Sequence, residues 1–416
     1  MLHLRSIIFL MLSLFTTPHI LAQVTIGSNI KPNKGSILDI KERQPTAGDP
    51  DQTTANRGLL MPRVTLLSLT ELKPMYSYAD IENTPSGIDE QMHIGLIVYN
   101  IIQEICPGTD ILEGLYVWQG SEWKLLKNGT SSNGVQLFKD QGGNTFKART
   151  FGDAGTWMVD NLAVKHYSDN TTIDIFNGNA INPPPKPMYA YPSRTTTGWN
   201  SQPEIWTRRQ GLLYNWTAAT NNYNPGDIDQ SQIAGSIPGA NEVETLQENS
   251  EGAKNGKIQG ICPNGWHIPS DREWNALEKE LYNNPEKYSS YTTDEIGTFI
   301  PNSWQDGWET ASGRRPSSAN NTGHGAVMKS ICPPADETAS TGGKSHLNTK
   351  GGFDAILLGS ISSTTALGYG KSGFFWTSSA RSAETSMQRN LSYNYPTISR
   401  SAGSKNVFFS VRCKKN

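Results

Sequence analysis

Residues 261–282, ICPNGWHIPSDREWNALEKELY, carry the sharpest local signal in the chain. Ser270 followed three residues later by Glu273 is a capping box: the serine hydroxyl accepts from the Glu273 amide while the glutamate reaches back to the Ser270 amide. Asp271 adds negative charge at the positive end of the helix. Trp274, Leu277 and Leu281 then recur at i, i+3 and i+7, which predicts an amphipathic helix over 271–282 with one apolar stripe facing a core. Glu278 and Glu280 fall on the polar side and read as a solvated face. His267, between Trp266 and the cap, reads as a structural histidine.

Outward from this helix the texture is that of a loop-rich β chain. Residues 406–415, NVFFSVRCKK, place Val407, Phe409, Val411 and Cys413 on one face and Ser410 and Arg412 on the other, predicting a terminal strand whose cysteine points inward. Residues 145–150, TFKART, alternate in the same way, Phe146 and Ala148 against Lys147 and Arg149. The stretches 167–255 and 296–348 are long, rich in proline, glycine and aromatic residues, and nearly without periodicity. Upstream, VTIG, SILDI, GLIVYNI and GLYVWQGSEWKLL are short β-branched and aromatic runs bounded by turn residues, which read as strands. The polar run NGTSSNG, 128–134, reads as a linker. The expected organisation is a β-rich module at 23–127, the linker at 128–134, and a second, α+β domain at 135–416.

Residues 1–22, MLHLRSIIFLMLSLFTTPHILA, combine an early Arg5, an apolar run from Ile7 to Phe15, a breaker at Pro18 and a small residue at Ala22. About nine apolar residues are too few for a hydrocarbon core, which takes ~20. The segment reads as a secretory signal peptide, and the mature chain as exported: at the cell surface, secreted or periplasmic. No later run has the apolar length of a transmembrane helix. The chain has 416 residues, with 36 basic against 38 acidic side chains, and so offers no electrostatic footprint for nucleic acid. Its 9% aromatic content argues for a packed fold, and 39 glycines with 24 prolines argue for many turns. Export permits disulfides among Cys106, Cys262, Cys332 and Cys413, and the spacing alone leaves three connectivities open.

Catalytic and cofactor signatures are missing. Two GKS tripeptides, Gly343-Lys344-Ser345 and Gly370-Lys371-Ser372, lack the upstream glycine of a phosphate loop, its place being held by Thr338 and Thr365. His166, His267, His324 and His346 show no zinc-binding spacing. There is no GxSxG for a serine nucleophile. Neither a cofactor nor a metal is expected, and no catalytic residue is assigned. What remains is an aromatic surplus: Trp199, Trp206, Trp304 and Trp308 sit in aperiodic segments, where rings either fill the core of a loop-rich domain or stack on a ligand. These four are the candidate ligand-binding residues. Trp157, Trp266, Trp274 and Trp376 read as core.

The ordered segments GNTFKARTFGDAGTWMVDNL (143–162), GLLYNW (211–216), CPNGWHIPSDREWNALEKEL (262–281), GFDAILLG (352–359), GFFWTSS (373–379) and FFSVRCKK (408–415) resemble the Fibrobacter succinogenes major paralogous domain, common in exported proteins of Bacteroidota. The resemblance covers 135–416. VTIGSNIKPNKGSILDI, RGLLMPRVTLLSL, GLIVYN and GLYVWQGSEW are similar to an N-terminal module of surface and tail-fibre-like proteins. The resemblance implies a C-type-lectin-like α+β fold in which terminal strands pair and irregular loops carry function. In such folds a helix region is stapled to the last strand, which implies a Cys262–Cys413 bridge and leaves Cys106 and Cys332 to pair with each other or stay free. Closing a loop of about 150 residues stabilises by ~5 kcal/mol in the chain-entropy model. The calcium-lectin sequences EPN, QPD and WND are absent; Ser201-Gln202-Pro203-Glu204 comes nearest. A sulfatase-modifying type of oxidase needs redox-active cysteines, which a structural Cys262–Cys413 bridge would not supply. The expected role is that of a non-enzymatic, adhesin-like surface protein recognising a glycan or a protein through loops 167–255 and 296–348. The alternatives are a structural, tail-fibre-like component that oligomerises through its N-terminal module, for instance as a trimer, or a divergent enzyme related to the sulfatase-modifying factors.

Overall fold

The computed structural model describes residues 24–416 apart from 27, 34, 45–53, 56–57, 67, 73–86, 102–105, 107–110, 112, 127–133, 179–185, 246–252, 255, 317–321 and 346–349. The leader 1–22, all of the linker but Gly134, and His346 therefore lie outside the described residues. The chain falls into two compact units, one reaching Arg63 and including Ile97–Tyr99, the other made of Val64–Leu96 and Asn100–Asn416. Strands predominate, and the longest described helix is Asp271–Asn283.

In the first unit Val24–Ile26 and Leu38–Ile40 pair in parallel, with Ile26 opposite Ile40. The two-residue period of a strand puts Ile26, Leu38 and Ile40 on one face and Asp39 on the other. Asp39 is held there by the Asn33 amide at 2.8 Å and by the buried Lys41 ammonium at 2.8 Å. Ile26, Leu38 and Ile40 remain 55%, 51% and 39% exposed.

The second unit begins with a hairpin of Gly114–Trp118 and Trp123–Leu125, whose buried indoles donate to the carbonyls of Glu90 and Glu71 at 2.8 and 3.0 Å. Two larger sheets follow. One orders Trp266–His267, Lys414–Lys415, Thr156–Met158, Thr145–Thr150 and Val135–Lys139 side by side. The other is built around Ser372–Ala380, with Thr385–Ser392, Ile398–Ser404 and Gly313–Arg315 in sequence on one side and Phe409–Ser410 on the other. Its central strand separates two cores. Trp376 packs on Phe409 at 4.4 Å between ring centres, while Phe375 packs on Trp274 of the helix at 5.6 Å. Trp157, Trp266, Trp274 and Trp376 are all buried.

The chain's last residues form two short strands where alternation predicts one. Phe409–Ser410 pairs in the larger sheet, the backbone crosses over at 411–413, and Lys414 then lies opposite Trp157 in the smaller sheet. Ser410 and Arg412, expected on an outer face, are buried as fully as Val411. The physical reason is that Arg412 finds internal acceptors, Asn161 Oδ1 at 2.8 Å and the Asp354 carbonyl at 2.9 Å, and lies over the Phe353 ring at 4.3 Å. Disulfides join Cys262 to Cys413 and Cys106 to Cys332, with Cα separations of 5.9 and 5.3 Å. Residues 413–415 are thus bonded by backbone to Thr156–Met158 and Trp266–His267 and by sulfur to Cys262, ahead of the long helix.

The helix Asp271–Asn283 carries both halves of its capping box. Glu278, expected on a solvated face, is fully buried. Asp271, Asn275 and Glu278, at i, i+4 and i+7, form a second buried stripe that meets Arg315, Arg389 and Arg400 from three neighbouring strands. Arg389 bonds both Asp271 and Glu278, and His324 lies 3.0 Å from Glu278. The arginines hold the Glu278 carboxyl down at about 2 against the opposing cost of burial. Glu280, half-buried, accepts from the Tyr288 hydroxyl at 2.6 Å. His267 sits between Glu273, at 3.0 Å, and Asn416, at 2.7 Å, in a buried structural role.

Candidate functional site

The two irregular stretches meet at a cleft in the second unit. A cavity of about 540 Å³ has Phe146, Met158, Leu162 and Ile356 as apolar lining, Ile205 and residues 207–210 on one side, and residues 332–336 on the other. A second cavity of about 490 Å³ adjoins it and shares Ile205, Gln210 and Asp336. Its further lining includes Arg194, Glu204, Trp206 and Tyr369.

Local chemistry fixes both walls. In the first, Trp206 donates its indole proton to the Gly211 carbonyl at 2.8 Å and stands edge-on to Tyr191, pinning the loop from behind. Gly211 has φ +74° and approaches so closely that a Cβ would lie 2.5 Å from that of Asn161, so only glycine allows the turn. Asn161 receives Arg412 on its oxygen and donates to the Gln210 carbonyl at 3.0 Å, which couples the loop to the end of the chain. The second wall begins at the disulfide-bonded Cys332. The Tyr369 hydroxyl bridges the walls, accepting from Gln210 Nε2 at 3.0 Å and donating to the Ala335 carbonyl at 3.0 Å. Burial pushes this phenol up to about 12, which keeps its proton in place.

The three arginines around the cleft are paired. Arg208 bonds Asp140 at 2.6 Å, Arg194 faces Glu337 at 3.2 Å, and Arg209 bonds Asp354. Asp160 accepts from the Lys147 amide at 2.8 Å, and burial raises its carboxyl above the ordinary range. Among the described residues no group of three or more His, Cys, Asp or Glu side chains is disposed to hold a metal ion.

The four candidate tryptophans do not form one patch. Trp199 is 6% exposed and stacks on Phe176 at 5.9 Å. Trp304, also 6% exposed, meets the half-buried Trp308 at 5.2 Å beside Tyr282 at the helix. Of the four, Trp206 alone lines the cleft. Glu204, the last residue of the SQPE segment, lines the second cavity. The lining groups missed by sequence reasoning are Ile205, Arg208, Gln210 and the segment 332–336. Their one visible signal is the polar run Thr207-Arg208-Arg209-Gln210 placed directly before the GLLYNW segment.

A loop-bearing β scaffold whose residues 409–415 tie two sheets together is the class of protein this geometry defines. The chain belongs to the Fibrobacter succinogenes major domain family, whose model matches residues 153–415. Residues 25–137 match the model of a phage tail like trimerisation region. No curated protein and no solved structure matches the chain.

Proposed function

We propose that this is an exported, non-enzymatic surface protein that recognises a glycan or protein through the cleft between residues 205–210 and 332–336. The domain at 135–416 is read as a C-type-lectin-like α+β fold, supported by the pairing of its terminal strand with its opening strands. The observation that carries the binding reading is the convergence of two long aromatic loop regions on one apolar, polar-rimmed cleft, braced from behind by Trp206, Tyr369 and a disulfide. Two disulfides, and the lack among the described residues of any helix long and apolar enough to cross a membrane, are compatible with export. The test is a glycan array and a surface-protein pull-down with the full mature chain and its Ala335→Trp variant, which fills the cleft. A ligand captured by the parent and lost by the folded variant is expected; blanks from the parent in both assays overturn the reading.

A second reading coexists with it, because the exposed row Ile26, Leu38 and Ile40 lies within the part that resembles a trimerisation region. A two-stranded ribbon is marginal by itself in water, and an uncovered apolar face calls for a partner. Two further copies of this chain are the proposed cover. Sedimentation equilibrium of the full chain is expected to give a trimer, and Leu38→Asp a smaller species. A parent chain that sediments as a monomer at micromolar concentration overturns it.

A further inference from the structure

We infer that the cleft holds a neutral oligosaccharide across two adjoining subsites, with Ile205 as the ridge between them; this rests on the binding reading above. The first argument is charge. Of the groups lining the two cavities, Lys147, Arg194, Arg208 and Arg209 are matched by Asp140, Asp160, Glu204 and Asp336. Arg208 and Arg194 are moreover committed to carboxylates within 3.2 Å. Such a surface has no net field with which to collect a polyanion, a basic peptide or an acidic one.

The second argument is the kind of polar group on offer. Paired guanidinium and carboxylate groups present N–H donors and oxygen acceptors side by side, and Gln210, which lines both cavities, keeps a second Nε2 proton beyond the one given to Tyr369. Sugar hydroxyls are donor and acceptor at once, so they match this mixture without bringing charge. Asp160 lines the first cavity, and its Oδ1 is buried without a hydrogen-bond partner among the described residues. With its Oδ2 accepting from the Lys147 amide at 2.8 Å, Asp160 braces the cavity wall and is not itself a contact for a ligand.

The third argument is shape. Each cavity falls within the ~300–1,000 Å³ range of small-ligand sites, and each has apolar walls suited to the C–H face of a sugar ring. Ile205 is 39% exposed although apolar, and it lines both cavities. A single compact ligand would fill one cavity, whereas a chain of rings crosses the ridge and covers it.

The experiment is calorimetric titration of the full mature chain with neutral gluco-, manno- and xylo-oligosaccharides of one to six rings, and with sialylated and sulfated oligosaccharides. Affinity is expected to rise by about tenfold or more from one ring to several, and Ile205→Asp or Arg208→Ala to reduce it by about tenfold with an unchanged urea midpoint. Raising the salt concentration is expected to change it less than about twofold. Failure of every neutral sugar to bind overturns the inference, as does equal affinity for one ring and many, or neutral-sugar binding untouched by both substitutions. If a protein or an anionic glycan binds instead and is lost in Ile205→Asp, the cleft reading stands while this inference falls. If every ligand found ignores all the cleft substitutions, both fall.

Discussion

Glu278 sits in the helix with no exposed surface, bonded to Arg315 and Arg389 and 3.0 Å from His324. Removing its charge takes away the carboxylate that Arg315 bonds, while Arg389 keeps Asp271. Glu278→Gln is therefore expected to cost about 3–5 kcal/mol in urea denaturation, whereas Glu280→Gln, on a half-buried carboxylate, should cost under about 1. The same groups set the acid response. A carboxyl held at about 2 contributes stability above its unfolded value, and loses it as pH falls from ~4.5 towards 2. Burial lowers His324 below its ordinary value, so the unfolded chain takes up that proton first, and stability declines as pH falls below ~6.5. The urea midpoint should therefore drop in two limbs on acidification, the upper flattened by His324→Asn and the lower by Glu278→Gln. A midpoint constant from pH 7 to 4 refutes the upper limb. At this scale the sequence was only half legible: the spacing of Asp271, Asn275 and Glu278 is visible, but not the three arginines brought against them from distant strands.

At the scale of the element, the helix 271–283 was legible because its start, stripe and stop are all local. The Ser270 hydroxyl accepts from the Glu273 amide, and Glu273 returns the bond to the Ser270 amide at 2.9 Å. The same hydroxyl donates to Glu244, whose carboxyl burial and the nearby Glu273 push up to about 8. Ser270→Ala removes the cap acceptor and that donor together, and is expected to cost about 1–2 kcal/mol, with Ser270→Thr recovering most of it. Thermal denaturation of the two variants checks this; equal losses would mean that the cap bond is not what matters. The terminal strand was misread because alternation reports side-chain chemistry and not what lies opposite. Arg412 resembles an outward residue until the carbonyls of segment 353–354 are known to face it. Likewise the cleft walls are short turns whose residues carry no period, so their meeting could not be read from the sequence.

Across the whole molecule, a run of hydrogen bonds links Arg412 to both walls of the cleft. Arg412 reaches Asn161, which holds Gln210, which bonds Tyr369, which in turn fixes the Ala335 wall. Cys413 follows directly and is bonded to Cys262 across a separation of 151 residues; Cys106–Cys332 spans 226. Chain entropy grows only with the logarithm of loop length, so the two bridges should constrain the unfolded state almost equally, by roughly 5 kcal/mol each at most. Their consequences should nevertheless differ. Replacing Cys262 and Cys413 by serine frees the strand that joins the two sheets, and is expected to lower global stability by about 2–5 kcal/mol. Replacing Cys106 and Cys332 releases a cleft wall at its first residue, and should weaken ligand binding at concentrations of urea where the fold is still intact. Urea denaturation of both double variants, with binding followed in the same solutions, distinguishes a covalent clamp from one maintained by backbone hydrogen bonds alone. Equal stability of the Cys262/Cys413 variant and the parent would mean that the pairing of Lys414 with Trp157 is sufficient to hold the chain's end in place.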